Sequence, residues 1–118
     1  MPELIACLSV GKGTWGHVNQ LIQENKWDKI FLITNEFGQE NFSKSEKAEF
    51  LVINPDQGLR ELRDEIYSKL KDKVKETEVA VNFISGSGKE HMALISAILK
   101  LGVGIRLVAI TKEGMEEI

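Results

Sequence analysis

The sequence predicts a single α/β domain over residues 1–118, a Rossmann-like three-layer sandwich whose mainly parallel five-stranded sheet runs in the order 3-2-1-4-5 with helices on both faces. Three observations lead there. Short, nearly unbroken apolar runs recur along the chain, as strands buried on both faces require. Segments with apolar residues at helical spacing separate them, and such alternation implies a parallel sheet joined by right-handed crossovers. Glycine-rich turns follow the first and fourth runs, which become neighbours where the winding reverses in this strand order.

Glu3 to Val10 holds the first predicted strand, with the core run Leu4-Ile5-Ala6-Cys7-Leu8. It stops at Gly11-Lys12-Gly13-Thr14-Trp15-Gly16, after which Trp15, Val18, Leu21 and Ile22 share one helical face until Asn25-Lys26. Lys29 to Thr34 carries the second strand, Ile30-Phe31-Leu32-Ile33. The polar stretch from Asn35 to Lys47 fits either a short helix over Gln39 to Ser45 that packs Phe42 inward or a loop over the sheet edge. Glu49 to Asn54 supplies the third strand. Pro55-Asp56 then leads into a helix with Leu59, Leu62, Ile66, Leu70 and Val74 on one stripe and most charges off it. Glu78 to Ser85 is the fourth strand, followed by a helix through Leu101, a turn at Gly102-Val103-Gly104 and a fifth strand from Ile105 to Thr111. Lys112 to Ile118 reads as a charged tail outside the sheet.

With 42% apolar and 28% charged residues, the chain has the balance of a folded domain rather than a disordered one. No apolar run approaches the roughly 18 residues of a membrane helix. The first residues lack a secretion signal's basic segment and cleavage pattern, so a cytoplasmic protein without membrane association is expected. The formal net charge of −3 argues against general binding to DNA or RNA, which depends on many phosphate neutralisations. Any anion site must be local. Cys7 sits mid-strand, where a small thiol packs rather than reacts.

The turn Ser85-Gly86-Ser87-Gly88-Lys89 ends an apolar run and opens a helix. Helix N-terminal N–H groups lack internal partners and carry the positive end of the helix dipole, and glycine permits close backbone approach, a combination suited to phosphate. Ser85, Ser87 and Lys89 add hydroxyls and a cation. A P-loop does not fit, because the upstream glycine is missing and Glu90 stands where Ser or Thr would hold magnesium. A nucleophile elbow has the wrong spacing. His17 and His91 fall in no metal-ligand pattern, so neither a metal nor a cofactor is expected.

Gly11-x-Gly13-x-x-Gly16 matches the dinucleotide fingerprint in form, with Glu36 as a candidate ribose ligand, although Trp15 puts bulk where a pyrophosphate needs close approach. A regulatory NAD- or nucleotide-binding module is therefore one reading. A structural oligomer is another. The helix after Lys89 carries Met92, Ala93, Leu94, Ile95, Ala97, Ile98, Leu99 and Leu101, more apolar surface than one sheet face covers. A homodimer would cover the excess, as would deep burial within the monomer.

The stretch Asn82-Phe83-Ile84-Ser85-Gly86-Ser87-Gly88-Lys89-Glu90-His91-Met92 resembles the CARF family, the CRISPR-associated Rossmann-fold domains. In that family an Asn-x-Ser/Thr-Gly-Gly-Thr-Lys/Arg-x-Met-like signature follows the fourth strand. Asn82, Gly86, Ser87, Lys89 and Met92 take similar positions, with Gly88 inserted or substituted in the loop, and Ser9 to Trp15 looks like the family's other ligand-facing segment. The resemblance implies a stand-alone sensor, sponge or degrader of cyclic oligoadenylate, the second messenger of type III CRISPR systems, bound across a homodimer two-fold. It implies ligand contacts from Ser9, Gly11, Gly13, Thr14, Trp15, Asn35, Ser85, Gly86 and Gly88. In a metal-independent ring nuclease, a ribose 2′-hydroxyl attacks its adjacent phosphate and the protein supplies positioning and charge. The resemblance then implies Lys89 and Lys12 as charge neutralisers, Ser9, Thr14 and Ser87 as partners of phosphate oxygens, and His91 or His17 as a proton shuttle. Family members usually continue into a sixth strand and often an effector domain, and this chain is expected to lack both.

Overall fold

The computed structural model describes residues 2–8, 12–43 and 46–118, with Lys12 described in its backbone alone. β1 (Glu3–Cys7) is buried at every position because both of its faces meet helices. A one-turn 3-10 helix at Lys12–Thr14 leads into α1 (Trp15–Gln23), followed by β2 (Lys29–Thr34), α2 (Glu36–Asn41), β3 (Ala48–Val52) and α3 (Leu59–Leu70). The second half is β4 (Glu78–Asn82), α4 (Gly88–Leu101), β5 (Gly104–Thr111) and β6 (Gly114–Glu117).

The strands form one six-stranded sheet in the order β3-β2-β1-β4-β5-β6. The first five run parallel in the predicted order, and β6 pairs antiparallel with β5, from Thr111 opposite Gly114 to Val108 opposite Glu117. The sheet is therefore mixed and six-stranded, not purely five and parallel, and the charged tail is its edge. Gly114, at φ +95°, makes the tight reversal that a side chain would strain, and Met115 packs against the core from β6. Charge disguised this strand. Glu116 and Glu117 break the apolar pattern, as charges at a sheet edge commonly do to discourage further pairing. Arg106 ties the edge inward through ion pairs to Glu78 on β4 at 3.0 Å and to Glu117 on β6 at 2.9 Å.

Alternation along the strands divides the core in two. Ile5, Cys7, Phe31, Ile33, Val79 and Val81 meet Leu62, Ile66 and Leu70 of α3 and Ala93, Leu94, Ala97 and Ile98 of α4. On the other face Leu4, Ala6, Leu8, Leu32 and Ala80 meet Val18, Leu21 and Ile22 of α1, together with Trp15, Trp27 and Phe42. The stretch after β2 resolves as a helix that begins before Gln39. The Asn35 side chain caps α2 by accepting from the Gly38 N–H at 3.0 Å, and Phe42 closes the helix in a buried position. Gly38 is required here, since a Cβ would fall 1.8 Å from Thr34 Oγ1, whose hydroxyl donates to the Leu8 carbonyl at 3.1 Å.

Among the described residues no helix is long and apolar enough to cross a membrane.

Candidate functional site

The winding reverses between β1 and β4, which pair directly from Glu3 opposite Val79 to Ala6 opposite Asn82. Ligands in open α/β sheets bind at such a switch point, beyond the carboxyl ends of the strands. The loop leaving β4 is packed against the end of β1. Gly86 takes φ +105°, and a Cβ there would lie 3.2 Å from the Cys7 Cβ and 3.0 Å from His91 Nε2. Glycine is thus demanded twice, by conformation and by contact.

Asn82 sets the approach to this loop. Its amide donates to the Val108 carbonyl at 2.8 Å, and its Oδ1 accepts from the Ile84 N–H at 3.2 Å, so the chain turns at a fixed point. His17 reaches the same region from α1, where its Nε2 accepts from the Ile110 N–H at 3.2 Å. That bond assigns the neutral proton to Nδ1 and makes His17 a strut between α1 and β5. His91 is held likewise. Its Nε2 donates to the Ser85 carbonyl at 2.7 Å, and its ring meets Phe83 edge-on at 5.1 Å.

Ser87 N-caps α4 in a complete capping box. The Glu90 N–H donates to Ser87 Oγ at 3.2 Å while Glu90 Oε1 accepts from the Ser87 N–H at 2.7 Å. The next two N–H groups of α4, on Gly88 and Lys89, have no protein partner among the described residues. The Lys89 ammonium turns away and donates to the Pro55 carbonyl at 3.0 Å. Cys7 beneath the loop is fully enclosed. Burial, and then the neighbouring Glu90 carboxylate, push its thiol far above the ordinary range, so it stays protonated and unreactive.

The 3-10 turn leads directly into α1. Thr14 Oγ1 is buried without a hydrogen-bond partner among the described residues, and a buried hydroxyl left unpaired costs about 1–3 kcal/mol. Gly13 and Gly16 have open space where a Cβ would stand, and neither takes positive φ. The steric reasons for glycine in a dinucleotide fingerprint, close helix packing above all, are absent at both. Ser9 and Gly11 lie outside the described residues, as does the Lys12 side chain.

The predicted site residues therefore separate. Gly86, Ser85, Ser87 and Gly88 form one loop at the switch point, and Ser85 is buried beneath it. Trp15 is 8% exposed, and its ring packs on Phe37 at 5.9 Å and Phe42 at 5.6 Å, because an indole at the start of α1 fills the gap between α1 and α2. Asn35 serves the cap of α2 and lines a separate depression with Glu36, Asp56 and Glu65 beyond β2 and β3. Glu90 was missing from the predicted set although Ser87-x-x-Glu90 is a readable capping-box pattern. No protein-family model matches the chain, and no curated protein matches it.

Proposed function

We propose that the chain is a CARF-like binding module for cyclic oligoadenylate, which lies across the carboxyl ends of β1 and β4. The observation that carries this reading is the packing of Gly86 on Cys7, which holds the glycine-rich loop after β4 against the end of β1 at the switch point. Among the described residues the N–H groups of Gly88 and Lys89 and the Thr14 hydroxyl have no hydrogen-bond partner, and they are donors of the kind a bridging phosphate accepts from. The antiparallel β6 agrees with the sixth strand usual in that family.

Two copies of the chain meet, on this reading, along Met92, Ile95 and Leu99. These side chains are 61%, 38% and 64% exposed on the outer face of α4, an apolar stripe that begins beside the ligand loop. Binding is favoured over turnover because the side chains offered for catalysis have structural partners. His91 is bonded to the Ser85 carbonyl, Lys89 to the Pro55 carbonyl, and Ser87 to Glu90. A sensor or sponge needs no more than the donors.

Incubating the protein with labelled cyclic tetra- and hexa-adenylate, then resolving the mixture on native and denaturing gels, tests both parts. Retention of an intact ring is expected. Failure to retain either ring overturns the function, and conversion to linear product overturns the preference for binding.

A further inference from the structure

The two edge strands of the sheet differ in how their outer backbone groups are used. On β6 the Met115 N–H points away from β5 and donates to Glu24 Oε1 at 3.2 Å, while the Gln20 amide holds the other oxygen of that carboxylate. Glu24 thus stands where the carbonyl of an added strand would accept, and Glu116 and Glu117 put further charge on the edge. β3 carries no such guard. The Ile30 N–H donates to the Lys47 carbonyl at 3.1 Å and the Ile53 N–H to the Thr34 carbonyl at 2.8 Å, so by alternation Glu49 and Leu51 supply the ladder to β2. Ala48, Phe50 and Val52 turn their N–H and C=O groups outward, and among the described residues no hydrogen bond reaches those groups. The strand has neither proline nor lysine. Its one charge, Glu49, accepts from Lys73 and lies 3.5 Å from Lys29, which compensate it.

We propose that the outer edge of β3 pairs with β3 of a second copy of this chain, antiparallel about a two-fold axis at Phe50. The pairing depends neither on the ligand nor on the α4 stripe. Charge and length select the register. Centred on Phe50, Ala48 faces the partner's Val52, Glu49 faces the partner's Leu51 and the two Phe50 residues face each other, so the whole strand pairs and no like charges meet. Centred on Glu49, two carboxylates would oppose each other at the axis, and centred on Leu51 the pairing would run past the end of the strand. Phe50 is half-buried against the core, and the partner's ring covers part of what remains open. The contact is isologous, the commonest kind between identical chains. A single strand pair buries less than the roughly 1,200–2,000 Å² of a stable interface. Its dissociation constant is therefore expected at about 0.1 mM, and sedimentation in the low micromolar range reads any α4 contact alone.

Amide exchange with solvent, followed by NMR on the full unmodified chain at two concentrations, tests the pairing. The N–H groups of Ala48, Phe50 and Val52 are expected to exchange about fourfold more slowly at about 1 mM than at about 20 µM, because pairing at the expected affinity buries them in a new ladder. Met115, whose N–H is already held by Glu24, should exchange at the same rate at both. Equal rates for the three β3 groups at both concentrations would overturn self-pairing and leave the edge to a strand of a different chain. Equal slowing at Met115 would also overturn it, as general aggregation. Phe50→Lys, first shown to be folded by its thermal transition, brings two like charges together at the axis and should abolish the concentration dependence. A folded Phe50→Lys chain that retains it would overturn the register.

Discussion

At the scale of single residues, chemistry in this crevice is decided by who already holds each polar group. Ser87, His91 and Lys89 look like a catalytic set in sequence, and their types and spacing were legible there. The partners of His91 and Lys89 were not, because the Ser85 and Pro55 carbonyls come from the turn of the backbone rather than from side-chain identity. Trp15 shows the same limit, since a position beside a glycine loop suits a ligand platform until Phe37 and Phe42 arrive from residues that the polar stretch concealed. Thr14 is the converse case, a hydroxyl that is buried and without a partner among the described residues. Replacing it with the near-isosteric Val removes a desolvated polar group, so Thr14→Val should raise the stability of the free protein by up to about 1 kcal/mol while weakening ring binding. Thermal melts with and without cyclic tetra-adenylate check both directions. A loss of stability in the free protein would mean that the hydroxyl is paired.

Elements follow from pattern more securely than from composition. The five parallel strands and their order were legible because each is a short apolar run between turn signals, and β1, β2 and β4 need both faces covered. β6 escaped because four residues with two glutamates carry no apolar period, and its place depends on Gly114 and on the pocket that Met115 fills. α4 was legible in extent, yet its division into an inward face of Ala93, Leu94, Ala97 and Ile98 and an outward stripe of Met92, Ile95 and Leu99 appears in the packing alone. If two copies meet along this stripe as proposed, Leu99→Asp leaves the fold intact and shifts the dimer to monomer in sedimentation. An unchanged mass would show that the stripe is not the contact. On β3, Glu49 accepts from Lys73 and lies 3.5 Å from Lys29, and the Lys73 hydrogen bond is the main cause of its lowered pKa. A carboxyl lowered in the folded state stabilises above its unfolded value and loses that contribution as pH falls through its folded value. Glu49→Gln should therefore cost less than about 1 kcal/mol near neutrality and nothing at acid pH, as measured by urea unfolding at both.

For the whole molecule, the argument from topology is stronger than the argument from any motif. A 3-2-1-4-5 parallel core places the glycine-rich loop after β4 at the switch point beside the end of β1, and the antiparallel β6 extends the sheet beyond β5. The crevice that results is not uniformly basic. Among the described residues the N–H groups of Gly88 and Lys89 lack partners beside the Glu90 carboxylate, which accepts from the Ser87 N–H, in a chain whose net charge is −3. On the proposed reading such a site recognises a ligand by where its phosphates sit rather than by charge alone, which suits a closed ring spanning two copies of the loop. Calorimetric titration of cyclic tetra-adenylate into the purified protein tests this most directly. Saturable binding at one ring per two chains is predicted, and the absence of binding heat across several temperatures would contradict it.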